Sequence, residues 1–359
     1  MLRPEISRTR TVGAGCLIGV MLGGCGDAKQ TDTAAGAASE TSAGTLVRST
    51  DLTRTELAYF TPLPVRVDMP IGTAGKAKTD LGRALFYETL LSDGHDVSCN
   101  SCHALNGYGA DGRSVSLGHD GRAGTRNSPT VYNAAGHVAQ FWDGRAVDVE
   151  EQAKGPILNP IEMGMPDTSA VLAHLRDSRM YVAMFRTAFP GEGAPINYDN
   201  VGRAIGAFER GLVTPSRWDR FLEGDSIALT LDERRGLRTF LDTGCQSCHA
   251  GRYLGGDRYM KVGMIHPWFS QSDSGRIGVT RDANDLLVFK VPSLRNVAKT
   301  GPYFHDGSVA TLAEAVRLMA HHQLGKELSA SDVRSIVTWL ESLTGTIPSN
   351  YIAYPQKPN

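Results

Sequence analysis

The sequence predicts a mainly α protein in which two related domains stand in tandem. Three observations predict it: segments that recur in both halves, helix-start signals followed by apolar positions at helical spacing, and no convincing period-two run of any length. Pro129-Thr130-Val131-Tyr132-Asn133 is answered by Pro292-Ser293-Leu294-Arg295-Asn296. Twelve residues beyond each proline comes Phe141-Trp142-Asp143-Gly144 or Phe304-His305-Asp306-Gly307. Earlier in each half lies a helix-like segment with a matching Gly and Phe, Gly82 with Phe86 and Gly236 with Phe240.

The elements follow in order. Arg3, Arg8 and Arg10 precede an apolar stretch of eleven residues, Val12 to Leu22, which is too short for a bilayer span of about 20 residues and reads as an export signal over 1–24. It ends in Leu22-Gly23-Gly24-Cys25, which resembles a bacterial lipobox, where the signal is cut before a cysteine that then carries lipid. A plain secretory leader with an incidental Cys25 is the alternative. Residues 25–50, rich in Ala, Thr, Ser and Gly, read as a flexible tether. An N-terminal domain is expected over 51–215 and a C-terminal one over 216–359. Val201, Ile205, Phe208 and Leu212 repeat on one helical face. Thr230 with Glu233 and Thr311 with Glu314 fit the capping box, and Ser331 is expected to cap a helix from Asp332 to Leu343.

Composition narrows the function. The net charge is −1 with no basic run, which argues against a nucleic-acid partner. Aromatic residues make up only 7% while Gly (40) and Pro (17) are plentiful, so a large apolar cofactor would supply core that the side chains do not.

The cysteines supply that cofactor. Cys99-Asn100-Ser101-Cys102-His103 and Cys245-Gln246-Ser247-Cys248-His249 are two copies of the c-type haem attachment signature. Two cysteines three apart on one side of a helical turn can form thioethers to one porphyrin, and the adjacent His then meets the iron. A zinc ribbon would place its pairs about 15 to 20 residues apart, whereas 142 residues separate Cys102 from Cys245. A thioredoxin-type pair gives no reason for His to follow twice. A disulfide between cysteines three apart would constrain almost nothing. Two covalent haem c groups are therefore expected.

From about residue 55 to 347 the chain resembles the bacterial di-haem cytochrome c peroxidases. The resemblance rests on LFYETLLSDGHDVSCNSCH, SLGHDGRAGTRNSPTVYNAAGHVAQFWDGRAVDVEEQAKGP, VPSLRNVAKTGPYFHDGS and MAHHQLG, all in the family's order. It implies an N-terminal haem that reacts with hydrogen peroxide and a C-terminal haem that receives electrons from a small cytochrome c or cupredoxin. Of Met260, Met264 and Met319, it makes Met319 the sixth ligand of the second haem, and a His/Met pair suits a haem of raised potential. His321 and His322 are expected exposed or at the pocket rim. Glu162 is implied as the proton relay, a role that a pocket of low polarity favours. His119 is implied as a displaceable ligand of the first haem, in a loop loosened by Gly118, Gly121 and Gly124. Trp142 is implied between the haems, and Asn127, Thr300 and Pro302 around a calcium ion, for which their oxygens are suitable ligands. A homodimer in the periplasm, tethered through lipidated Cys25, completes the expectation.

Two other functions are open. A plain di-haem electron carrier would need neither Glu162 nor a mobile His119. A related branch oxidises residues of a partner protein and replaces the methionine ligand by tyrosine, which Met319 argues against.

Overall fold

The computed structural model describes residues 51–355, so the export signal, Cys25 and the tether lie outside the described residues. The described chain is mainly helical. Its longer helices are α1 (Gly72–Phe86), α2 (Val149–Leu158), α3 (Thr168–Asp177), α4 (Arg179–Ala188), α5 (Tyr198–Glu209), α6 (Leu231–Thr243), α7 (Leu312–Leu324) and α8 (Ala330–Glu341). One small antiparallel pair, β1 (Tyr259–Lys261) with β2 (Val288–Lys290), has Tyr259 opposite Lys290. At three residues a side it is too short for alternation to show in sequence. Among the described residues no helix is long and apolar enough to cross a membrane.

The repeat becomes two similar helix crossings. In the first half α1 packs on α5, and a Cβ added to Gly82 would stand 1.7 Å from the Ala204 carbonyl oxygen. In the second half α6 packs on α8, and a Cβ on Gly236 would stand 2.0 Å from the Ser335 carbonyl oxygen. Both glycines are required because the partner backbone occupies the space of a side chain. Phe86 and Phe240, one turn on from each glycine, are buried. Two apolar clusters result, one built around Leu85, Phe86, Ile205 and Phe208, the other around Trp218, Leu237, Phe240 and Trp339.

The loop segments repeat as well. Thr130 Oγ1 donates to the Tyr108 carbonyl and Ser293 Oγ to the Tyr253 carbonyl, each at 2.6 Å. Asn133 and Asn296 both take left-handed backbone, with φ 64° and 60°, a conformation that Asn tolerates better than most residues.

The chain ends cross between the two clusters. Phe60 packs edge-on against Trp218 of the second cluster, and Arg238 holds Glu56 in a bidentate pair. At the other end Ile352 joins the first cluster, while Tyr351 Oη donates to the Phe208 carbonyl at 2.7 Å. Capping follows the sequence at Thr230, where the full box with Glu233 forms; at Thr311 only half of the expected box forms, the hydroxyl accepting from the Glu314 amide while the Glu314 carboxylate pairs with Arg317. The expected cap at Ser331 is displaced: Ser329 accepts from the Asp332 amide, so α8 starts at Ala330 and ends at Glu341. Two serines at this spacing both offer a hydroxyl, and the earlier one holds the extended backbone that a cap requires.

Candidate active site

The first attachment segment forms a four-residue helix, Cys99–Cys102, with Ser98 as its N-cap residue. His103 follows, buried at its ring, with Nδ1 3.3 Å from the Gly109 carbonyl. That carbonyl fixes the tautomer with the proton on Nδ1 and leaves Nε2 free to meet a metal. Burial holds the imidazole below its ordinary pKa and therefore neutral, as a ligand must be. The second segment repeats the arrangement, His249 Nδ1 lying 3.0 Å from the Leu254 carbonyl.

No two of these four cysteines are joined in a disulfide. Burial pushes Cys99 and Cys245 up to about 12. Redox and zinc-binding cysteines sit where the thiolate is favoured. These sit where it is disfavoured, in apolar slots suited to thioethers.

A cleft of about 940 Å³ opens beside the first segment, within the range that encloses cofactor-sized molecules. Cys99, Cys102 and His103 line it together with Trp142, Asn127 and Glu162. Glu162 follows α2, where Asn159 ends the helix and donates its side-chain amide to Glu162 Oε1 at 2.8 Å. Burial raises the Glu162 pKa, against the pull of Arg145 and the Asn159 hydrogen bond. A carboxyl of raised pKa holds its proton more readily than an ordinary one and is suited to general acid-base work. The cleft therefore fits a haem c, with two thiols and a neutral imidazole in attachment order and a poised carboxyl among its lining residues.

Trp142 lies at the seam between the repeats. Its Nε1 donates to the Asn127 carbonyl at 2.9 Å, and its own carbonyl accepts from the Lys290 amide at 2.8 Å. Asn127 is buried, its amide donates to the His305 carbonyl, and its Nδ2 donates to the Arg113 carbonyl at 2.8 Å. Its Oδ1 has no donor among the described residues. Thr300 and Pro302 lie in the half-buried turn just before His305.

Met319 is half-buried on α7 and packs with Trp268, Val309, Tyr303 and Phe304. Just past α7, Lys326 Nζ donates to the Thr243 carbonyl at 2.9 Å, which ties that end of the helix to the approach to Cys245. His322 departs from expectation. It is buried, with Nδ1 2.9 Å from the His266 carbonyl, because it faces inward from α7 onto Trp268. His321 is half-buried, pairs with Glu327 and stacks on His266.

His119 is absent from the cleft lining. Its backbone amide donates to the Glu162 carbonyl at 2.6 Å, yet its ring lies on the far side of the loop with Nδ1 3.2 Å from the Asp96 carboxylate. Gly118 permits that contact, since a Cβ there would stand 2.3 Å from the Ile161 carbonyl oxygen.

Sequence reasoning missed three cleft residues. Arg145 lies over the Phe141 ring at 3.4 Å and pairs with Asp143. Arg126 bridges Asp143 and Asp273, each at 2.6 Å. Glu209, at the end of α5, is buried and pushed up to about 8 by that burial and by Glu150. Arg145 carried a signal, because its repeat counterpart after Gly307 is Ser308. The two halves differ where one cleft needs a charge.

Residues 76–227 match the family described as di-haem cytochrome c peroxidase. The chain is 44% identical over 307 residues to the cytochrome c551 peroxidase of Pseudomonas aeruginosa, covering 84% of this chain and 88% of that protein. It is 44% identical over 273 residues to the cytochrome c551 peroxidase of Nitrosomonas europaea, covering 75% and 80%. Among solved structures, a MauG-like protein associated with microbial copper homeostasis superposes with a TM-score of 0.70 at 29% identity, covering 82% of this chain and 96% of that one. Fold, attachment segments and relatives together define an oxidoreductase of the di-haem class. The chain belongs to the di-haem cytochrome c peroxidase family, and membership implies two haem c groups.

Proposed function

We propose that the protein reduces hydrogen peroxide to two waters at the cleft beside Cys99, Cys102 and His103, consuming two electrons and two protons. A small cytochrome c or cupredoxin delivers the electrons singly at the Cys245, Cys248, His249 segment. Haem c would be held at the first segment by Cys99, Cys102 and His103 and at the second by Cys245, Cys248, His249 and Met319, and would supply the redox chemistry of its iron.

The observation that carries this reading is one cleft shared by an attachment segment and a carboxyl of raised pKa. Glu162 takes the proton from the near peroxide oxygen and returns it to the far one, so that the O–O bond breaks with water as the leaving group. Asn159 orients the carboxyl through Oε1. Arg145 keeps it ionisable. Trp142, hydrogen-bonded to both halves, would pass electrons between the two haems.

His119 serves as the displaceable ligand of the first haem, withdrawn here to Asp96. Asn127 Oδ1 with the Thr300 and Pro302 carbonyls holds a calcium ion, and waters complete its shell. The mature protein is exported, carries lipid on Cys25 and works as a periplasmic homodimer.

Stopped-flow addition of peroxide to half-reduced protein tests the reading. Rapid oxidation with two waters formed per peroxide supports it. Haems that exchange electrons but leave peroxide intact make the protein a carrier instead.

A further inference from the structure

His119 belongs to a second constellation outside the cleft. Its side chain is nine-tenths buried in a slot walled by glycines: a Cβ at Gly94 would stand 2.7 Å from His119 Cε1, and one at Gly164 would stand 3.0 Å from Cδ2. Nδ1 is 3.2 Å from both Asp96 carboxylate oxygens. Nε2 makes no hydrogen bond among the described residues, although Asp120 Oδ2 lies 3.3 Å away and Asp93 Oδ2 3.6 Å away. One donor atom from each of Asp96, His119 and Asp120 lies within 4.8 Å of the other two. Three carboxylates thus surround one imidazole. Among the described residues only Asp120 has an Arg or Lys at hand, Arg122 Nη2 at 3.6 Å.

This is the arrangement of a metal-binding histidine. A carboxylate on Nδ1 fixes the ring and its tautomer, and the other nitrogen is presented to the ion. In a tetrahedral site with bonds of about 2.0–2.1 Å, neighbouring donor atoms stand about 3.3 Å apart. Nε2 already stands close to that distance from Asp120 and Asp93, and Asp93, which lies outside the 4.8 Å group, has to turn inward to join them. Both carboxylates are exposed and free to rotate inward, and water can complete the shell. An imidazole among carboxylates favours zinc-class ions over calcium or magnesium, which take oxygen alone.

We infer that His119, Asp120 and Asp93, with Asp96 orienting the ring, form a binding site for a divalent transition metal ion of the zinc class. The same imidazole is assigned above to the first haem, so an ion bound here keeps it off the iron; that consequence, unlike the site itself, rests on the proposed role of His119.

The test uses the purified di-haem protein in excess calcium, titrated with zinc chloride alone by equilibrium dialysis and followed by zinc-edge X-ray absorption. The expected result is one equivalent of zinc per chain that the Asp93→Asn/Asp120→Asn double variant lacks, with a nitrogen and oxygen shell at about 2.0–2.1 Å. Asp96→Asn should weaken that equivalent about tenfold or more. All three positions carry at least partly exposed carboxylates, so the variants should fold. Equal zinc binding by wild type and double variant overturns the site. In the same titration, the visible spectrum of the oxidised protein should move from low to high spin at the first haem. Saturable, Asp-dependent zinc binding without that change keeps the metal site and removes His119 from the iron.

Discussion

Asn133 and Asn296, which occupy the same place in the two repeats, donate their side-chain amides to one oxygen, the hydroxyl of Thr214, at 2.9 and 2.8 Å. Asn133 Oδ1 accepts from the Thr214 amide and Asn296 Oδ1 from the Gly345 amide. The repeats are therefore joined by a buried polar knot at their boundary as well as by apolar packing. Thr214→Val keeps the shape but strands two buried amides, each at a cost of about 1–3 kcal/mol. Its denaturation midpoint should fall by an amount equivalent to ~2 kcal/mol or more at unchanged m-value, while Thr214→Ser, which retains the hydroxyl, should lose much less.

Haem content follows from the attachment segments alone. Wild-type protein matured in a host that attaches c-type haem should keep two haems per chain through acid-acetone extraction and denaturing electrophoresis. Cys245→Ala with Cys248→Ala should leave one. Complete loss of wild-type haem to acid acetone would refute covalent attachment at both segments.

What was legible in the sequence was whatever local chemistry encodes. The attachment segments, the paired glycines at 82 and 236, the recurring asparagines at 133 and 296 and the Thr230 cap each need a particular residue at a particular spacing. What was not legible depends on distance along the chain. Nothing in the sequence around Phe60 or Ile352 says that each end of the chain packs on the opposite half. Nothing around Asp93 or Asp96 says that a loop 23 residues on will place His119 against them. Glu209 reads as the polar end of an amphipathic helix, and only the folded chain shows that it is buried with the Glu150 charge near enough to act on it. The misplaced cap at Ser331 is a local error, because Ser329 offers the same hydroxyl two residues earlier.

Glu162→Gln keeps the size and the Asn159 contact but cannot take a proton. Peroxide turnover should drop about 100-fold while both haem spectra and electron uptake persist. Burial holds the Glu162 pKa up and Arg145 pulls it down. Arg145→Leu should then raise it further and move the acid limb of the rate profile to higher pH. An acid limb that stays in place would take Arg145 out of the electrostatics of this carboxyl.

Glu209 gives a pH dependence of stability. Its carboxyl moves from 4.5 when unfolded to about 8 when folded, so the native state binds this proton more tightly. Its contribution is complete below about pH 4.5 and is lost as pH rises through 8, with a total of a few kcal/mol at most. Glu209→Gln should flatten stability between pH 5 and 8 and leave the variant more stable than wild type above pH 8. Chemical denaturation across that range measures both.

The slot that receives His119 yields the last prediction. Gly94 is not in left-handed backbone, so alanine there is tolerated by the chain itself, but its Cβ would stand 2.7 Å from His119 Cε1. The imidazole must yield, and the Asp96 contacts weaken as it does. In Gly94→Ala the withdrawn position of His119 is therefore disfavoured relative to any position on the cleft side. If His119 is the displaceable ligand, half-reduced Gly94→Ala protein should keep more low-spin first haem and consume peroxide more slowly than wild type. His119→Gly should react with peroxide without prior reduction, and adding Gly94→Ala to it should change little, because the two contacts under 3 Å are gone and the one left, Asp96 Cγ at 3.2 Å, belongs to an exposed carboxylate that can turn away. Slowing of the double variant to the level of Gly94→Ala alone would mean that the alanine acts on the loop and not on the histidine.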